Sequence, residues 1–167
     1  DYKVTGVQTC ALPISFGFDL NSHYANYSND TIVGEVYNNF YFSDLEDVDH
    51  IAEILQLVND DIYLPPNQET TLNSTFWIED EHEEPINLFQ LFSHAHKLNT
   101  EFKIYKVNQN NQNSRELIYI SYDWEHPPVM KFDPPLHFSI NDGIELEATY
   151  FNDTDEIVEW GLLSVDE

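Results

Sequence analysis

No stretch of this sequence reaches the roughly eighteen consecutive apolar residues that a membrane-spanning helix needs, because its hydrophobic runs are short and mixed with Asn, Asp and Glu. Basic residues are also scarce. Six Lys and Arg stand against 31 Asp and Glu, a formal charge of -25. Such a surface repels phosphate backbones and anionic headgroups, which argues against nucleic acid and membranes as partners. Cysteine occurs once, at Cys10, and methionine once, at Met130. What remains is enough to fold: 41% of residues are hydrophobic and 14% aromatic, so the charge does not signal disorder. At 167 residues the chain suits one well-buried domain, with room for a remnant of a second.

The segment VTGVQTCALPIS, from Val4 to Ser15, resembles the translation of a common sequencing-library adapter. It has no basic region followed by a long apolar one, so it does not read as a signal peptide. Residues 1–15 are therefore expected to be non-native, with the authentic polypeptide beginning near Phe16. Beyond Cys10 there is no cysteine. Disulfides, zinc–thiolate sites and a thiol nucleophile are excluded there, and any metal would be held by His, carboxylate or Met. Asn-x-Ser/Thr triplets start at Asn26, Asn29, Asn73 and Asn152, as an Asn-rich chain produces by chance.

From Phe16 onward, runs of Tyr, Phe, Ile, Val and Thr are cut at short intervals by Pro-Pro, Asn-Asp and Asp-Gly. That pattern predicts an all-β sandwich. Strands are expected at Val33–Phe42, Thr70–Trp77, Asn87–His96, Glu101–Val107, Leu117–Ser121, Leu136–Ile140, Ile144–Phe151 and Ile157–Leu163. The polar run Asn108–Ser114 reads as a hairpin connection. Leu45, Val48, Ile51, Ile54, Leu55 and Val58 fall at helical spacing, while a strand from Ala52 to Val58 is the competing assignment.

His94 and His96 lie two apart in NLFQLFSHAHKL. On a strand, residues two apart point to one face, so both imidazoles could reach one metal ion. Without context such a pair is better read as two surface histidines on an edge strand or as one hydrogen-bonded core histidine. His50 and His82 sit among acidic residues and read as solvated, while His126 and His137 read as structural. The acidic run Glu79–Glu84 lacks the spacing and glycine of a calcium loop, and reads as a solvated connection.

Several segments resemble, in order, the copper type II ascorbate-dependent monooxygenases, the family of peptidylglycine and dopamine hydroxylases and their bacterial relatives. They are NSHYAN at Asn21–Asn26, LPPNQE at Leu64–Glu69, FSHAHKL at Phe92–Leu98, YDWEH at Tyr122–His126, and INDGIELEATYFNDT with VEWGLLSVDE at the end. The resemblance implies an antiparallel jelly-roll-like sandwich over residues 31–167, with residues 16–30 as a remnant of an N-terminal copper domain. It also implies the strand rather than the helix at Ala52–Val58. His94 and His96 would be ligands of the second-domain copper, and His23 a ligand of the first-domain copper. The family's third ligand at the second site is a methionine after Asp-Glu, which places it beyond Glu167. Met130, in a loop-like stretch, is not expected to replace it.

The implied parent is a secreted, extracellular or periplasmic enzyme with two coppers. It would hydroxylate a C–H bond of a small-molecule or peptide substrate with dioxygen and ascorbate. The fragment itself is expected to bind copper weakly at best and to be inactive. The family's animal members staple this domain with disulfides, and the lack of cysteine here argues against carrying over their substrates. The alternative expectation is a secreted copper-binding or interaction module without catalysis.

Overall fold

The computed structural model describes residues 29–35 and 37–161. Contacts divide the chain into two units, residues 1–56 and residues 57–167. The described part of the first unit holds a short 3₁₀ turn at Leu45–Asp47 and no strand. The strand expected at Val33–Phe42 is therefore absent among the described residues. Val33, Tyr41 and Phe42 are almost fully exposed. The reason is physical: a β pattern needs a second strand to receive its backbone hydrogen bonds, and the described residues of this unit offer none. The 52–58 segment forms neither the strand nor the helix its sequence allows, and Ile51, Ile54 and Val58 remain exposed.

The second unit is nearly all β and antiparallel. In chain order its elements are β1 (Tyr63–Leu64), β2 (Gln68–Trp77), a single helical turn α1 (Ile78–Glu81), β3 (Ile86–Leu91), β4 (Asn99–Asn108), β5 (Asn111–Ser121), β6 (Met130–Phe138), β7 (Asp142–Asn152) and β8 (Val158–Glu159). They form a four-stranded sheet in the order β2-β7-β4-β5 and two pairs, β3-β6 and β1-β8. Between β4 and β5 the expected hairpin closes on Asn108 opposite Asn111. The second half of the polar run is itself strand.

Alternation decides which face is core. In β7, Ile144, Leu146, Ala148 and Tyr150 are buried while Glu145, Glu147 and Thr149 point to the other face. Phe102 and Ile104 of β4 and Tyr119 of β5 join the inner face. The β3-β6 pair covers that face, contributing Phe138, which is wholly buried. The ammonium of Lys106 in β4 crosses the gap, lying 4.9 Å from the centre of the Phe138 ring and donating to the His137 carbonyl at 2.6 Å. Fully burying side chains of this kind contributes about 1.5–3 kcal/mol each, so the sandwich interior is the main source of stability. Gly143 is fixed by close approach, since a Cβ there would lie 2.6 Å from the Trp77 ring.

On the outer face, Arg115 stacks 3.5 Å over Tyr105 and bonds Glu145 and Glu147, both at 2.6 Å, while Lys103 bridges Glu101 and Glu147. The Arg115 hydrogen bond holds the Glu147 carboxyl below its usual range, against the opposing push of burial and with help from Lys103. At the start of β7, burial pushes the Asp142 carboxyl up. Hydrogen bonds from Asn108 and from the Ser139 amide and hydroxyl, with Lys106 beside them, outweigh that push and hold it low.

A carboxyl depressed in the folded state stabilises above its unfolded pKa of about 4, and that contribution is lost as pH falls through the folded value. Urea unfolding from about pH 6 downward is therefore expected to show a loss of stability below about pH 4 from these two carboxyls. An Arg115→Gln variant should lose less stability there, because its Glu147 is held low by Lys103 alone. Parallel curves for the two proteins would contradict the assignment.

Candidate metal centre

The β3-β6 ladder ends at Leu91 opposite Met130. The histidine pair thus lies beyond the strand, in the irregular link 92–98, which corrects the expectation of a strand running to His96. Continuing the register would place Ser93 opposite Pro128, and Pro127-Pro128 have no N–H to donate. The ladder stops there because half of its bonds cannot form.

Buried Tyr119 takes over at that point. Its hydroxyl accepts from the Ser93 amide at 3.2 Å, contacts Ser93 Oγ at 3.0 Å and donates to the Pro128 carbonyl at 3.0 Å. At the other end of the link the His96 carbonyl accepts from the Asn99 amide at 3.1 Å, and the Leu98 carbonyl accepts from Phe151 at 2.9 Å. Leu98 and Asn99 are buried. The link is pinned on both sides.

Between those pins His94 is exposed and His96 half-buried. Their ring centres lie 5.2 Å apart with the planes at 89°. Two imidazoles bound to one ion through N–metal bonds of about 2 Å, at a near-tetrahedral angle, have centres about 5 Å apart. The separation matches that of two imidazoles on one ion, and at 89° between planes the two rings also make an edge-to-face contact. Neutral imidazole is a ligand for copper, zinc, iron and nickel, so the donor set fits copper without selecting it. Among the described residues, no three His, Cys, Asp or Glu side chains converge on a metal position.

The other sequence candidates lie elsewhere. His23 falls outside the described residues. Met130 is not in a loop; it opens β6, opposite Leu91, and is 41% exposed. His137 Nδ1 is 3.0 Å from Asn87 Oδ1. His126 lies in the YDWEH loop, where the Asp123 carboxylate accepts from the amides of Glu125 and His126 at 3.0 and 2.9 Å. That aspartate shapes the loop. A shallow groove of about 530 Å³ on the outer sheet face is lined by Glu69, Thr71, Lys103, Tyr122, Glu147 and Thr149 and contains no histidine. Its cation is already paired with carboxylates, so its chemistry is that of a solvated sheet face.

Sequence reasoning missed Ser93, Tyr119 and Pro128. The available signal was Tyr119 itself, two residues before Ser121 on the inner face of β5. A buried tyrosine needs a partner for its hydroxyl.

Fold and site together define an antiparallel β-sandwich carrying a pinned, accessible histidine pair. Neither the protein-family models nor the curated proteins compared with the chain give a match. No helix among the described residues is long and apolar enough to cross a membrane.

Proposed function

We propose that this chain is a copper-binding sandwich of a copper type II, ascorbate-dependent monooxygenase, with His94 and His96 as two ligands of one copper. The observation that carries the reading is the 5.2 Å approach of the two rings on a segment tied down at both ends. The ordered motifs from Asn21 to the end support it. Bound copper would supply the redox chemistry by which dioxygen hydroxylates a C–H bond, one oxygen atom entering the product and the other leaving as water, with two electrons from ascorbate. The chain's own share would be to hold the two imidazole rings close together, with His94 exposed and His96 half-buried. His23 belongs to the same reading as a ligand of a second copper, and a secreted or periplasmic setting and a jelly-roll connectivity go with it. Fold alone would not select this function, because β-sandwiches carry many.

Electron paramagnetic resonance of the chain with one equivalent of Cu(II) is expected to show two coordinated imidazole nitrogens. His94→Ala and His96→Ala should each reduce that number to one. A spectrum identical in all three proteins would count against the pair as ligands.

A further inference from the structure

Resting on that reading, we infer that the Tyr119 hydroxyl is the positioning group that presents His94 and His96 to the metal. In a continued ladder the Ser93 amide would reach the carbonyl of the residue opposite, Pro128. Here the phenol oxygen stands between them, accepting from Ser93 and donating to Pro128. A phenol has one proton, and it goes to Pro128, so the contact with Ser93 Oγ is a bond that Ser93 donates. The hydroxyl is saturated, with one bond given and two received.

Its effect is to part the two chains by the width of one oxygen, one residue before His94. Tyr119 is 2% exposed and Ser93 6%. Water therefore has little access to replace the relay, and the hydroxyl cannot leave without orphaning a buried amide. On the far side the His96 carbonyl is fixed by Asn99, and on the near side Ser93 is fixed by the Tyr119 hydroxyl. The direction of His94 thus depends on where the Tyr119 hydroxyl holds Ser93. Tyr119 touches neither the ion nor a substrate in this scheme and acts through the ligands, as groups behind metal-binding histidines commonly do.

The test is Tyr119→Phe in the full chain, which keeps the ring in the core and deletes only the oxygen. Cu(II) affinity is measured by competition with a chelator, at a temperature where urea titration shows both proteins fully folded. Loss of a supporting group of this kind lowers metal affinity about 10–100-fold, and that is the expected result. Because both proteins are folded, a purely structural role for Tyr119 would leave the affinity unchanged, and that outcome overturns the inference. If Tyr119→Phe fails to fold, Ser93→Ala removes one of the two bonds between Ser93 and the hydroxyl. It is expected to weaken binding by at least about threefold, a smaller loss than that for a whole supporting group, and unchanged affinity again overturns the inference. If wild type and His94→Ala/His96→Ala bind copper equally, the ligand reading itself fails. Wild type above the double variant with Tyr119→Phe equal to wild type leaves the ligands standing and removes only the positioning role.

Discussion

Replacing Phe138 by Ala is expected to destabilise the second unit by about 3–5 kcal/mol, measured as the shift in unfolding free energy in urea. Phe138 is the last residue of β6 and the core side chain that the small β3-β6 sheet contributes with no exposed surface. Truncation removes the transfer energy of the ring and leaves a cavity between two sheets whose backbones are held by their own ladders, so collapse is limited. It also strips the ring face from beneath the Lys106 ammonium, which then keeps only the His137 carbonyl and Asp142. Phe138→Leu retains most of the volume and should cost less than half as much. A loss below about 1 kcal/mol for the alanine variant is far less than a buried ring supplies and would mean that the two sheets do not pack through this residue.

Asn152→Asp should be comparably damaging although the two side chains are nearly isosteric. Asn152 has no exposed surface, and its amide nitrogen donates to the carbonyls of Leu64 and Glu156 at 2.9 and 2.8 Å. Its oxygen accepts from the Thr154 amide and hydroxyl at 3.0 and 2.7 Å. All four bonds converge on the corner where β7 turns back into β8, and β8 pairs with β1. A carboxylate would aim a charged oxygen at two carbonyls in a buried site, a defect worth about 3–5 kcal/mol. The expected signature is a large loss at neutral pH that shrinks as the introduced acid is protonated. A variant as stable as wild type at pH 7 would contradict the hydrogen-bond assignment. The same burial closes the Asn152-Asp153-Thr154 triplet to modification once the unit has folded.

How far the fold was legible follows from the strength of each local pattern. Ile144, Leu146, Ala148 and Tyr150 alternate over a full strand, and β7 buries all four on one face. The Asn-Gln run from Asn108 marks the β4-β5 hairpin because polar residues of that kind leave the backbone free to turn. Failures arose where partners decide. Val33–Phe42 has strand composition but no described strand in its unit to pair with. Residues 87–96 look like one strand, yet β3 stops at Leu91 because its partner begins after two prolines nearly forty residues away in the chain. A one-dimensional pattern does not contain that pairing.

The candidate site was readable as a residue pair but not as a geometry. Two residues apart suggested one strand face. The two rings do stand together, but on a pinned link, set by a tyrosine on another strand and a turn at Asn99. No spacing rule would find Tyr119, since its role comes from sheet stacking.

The central claim is that His94 and His96 hold one copper. Its most direct test is the copper bound per chain at equilibrium in a Cu(II) titration, compared with the His94→Ala/His96→Ala double variant. With two histidines as the ligands, the wild-type chain is expected to bind copper weakly but measurably more tightly than the double variant. Equal copper in the two proteins would contradict it.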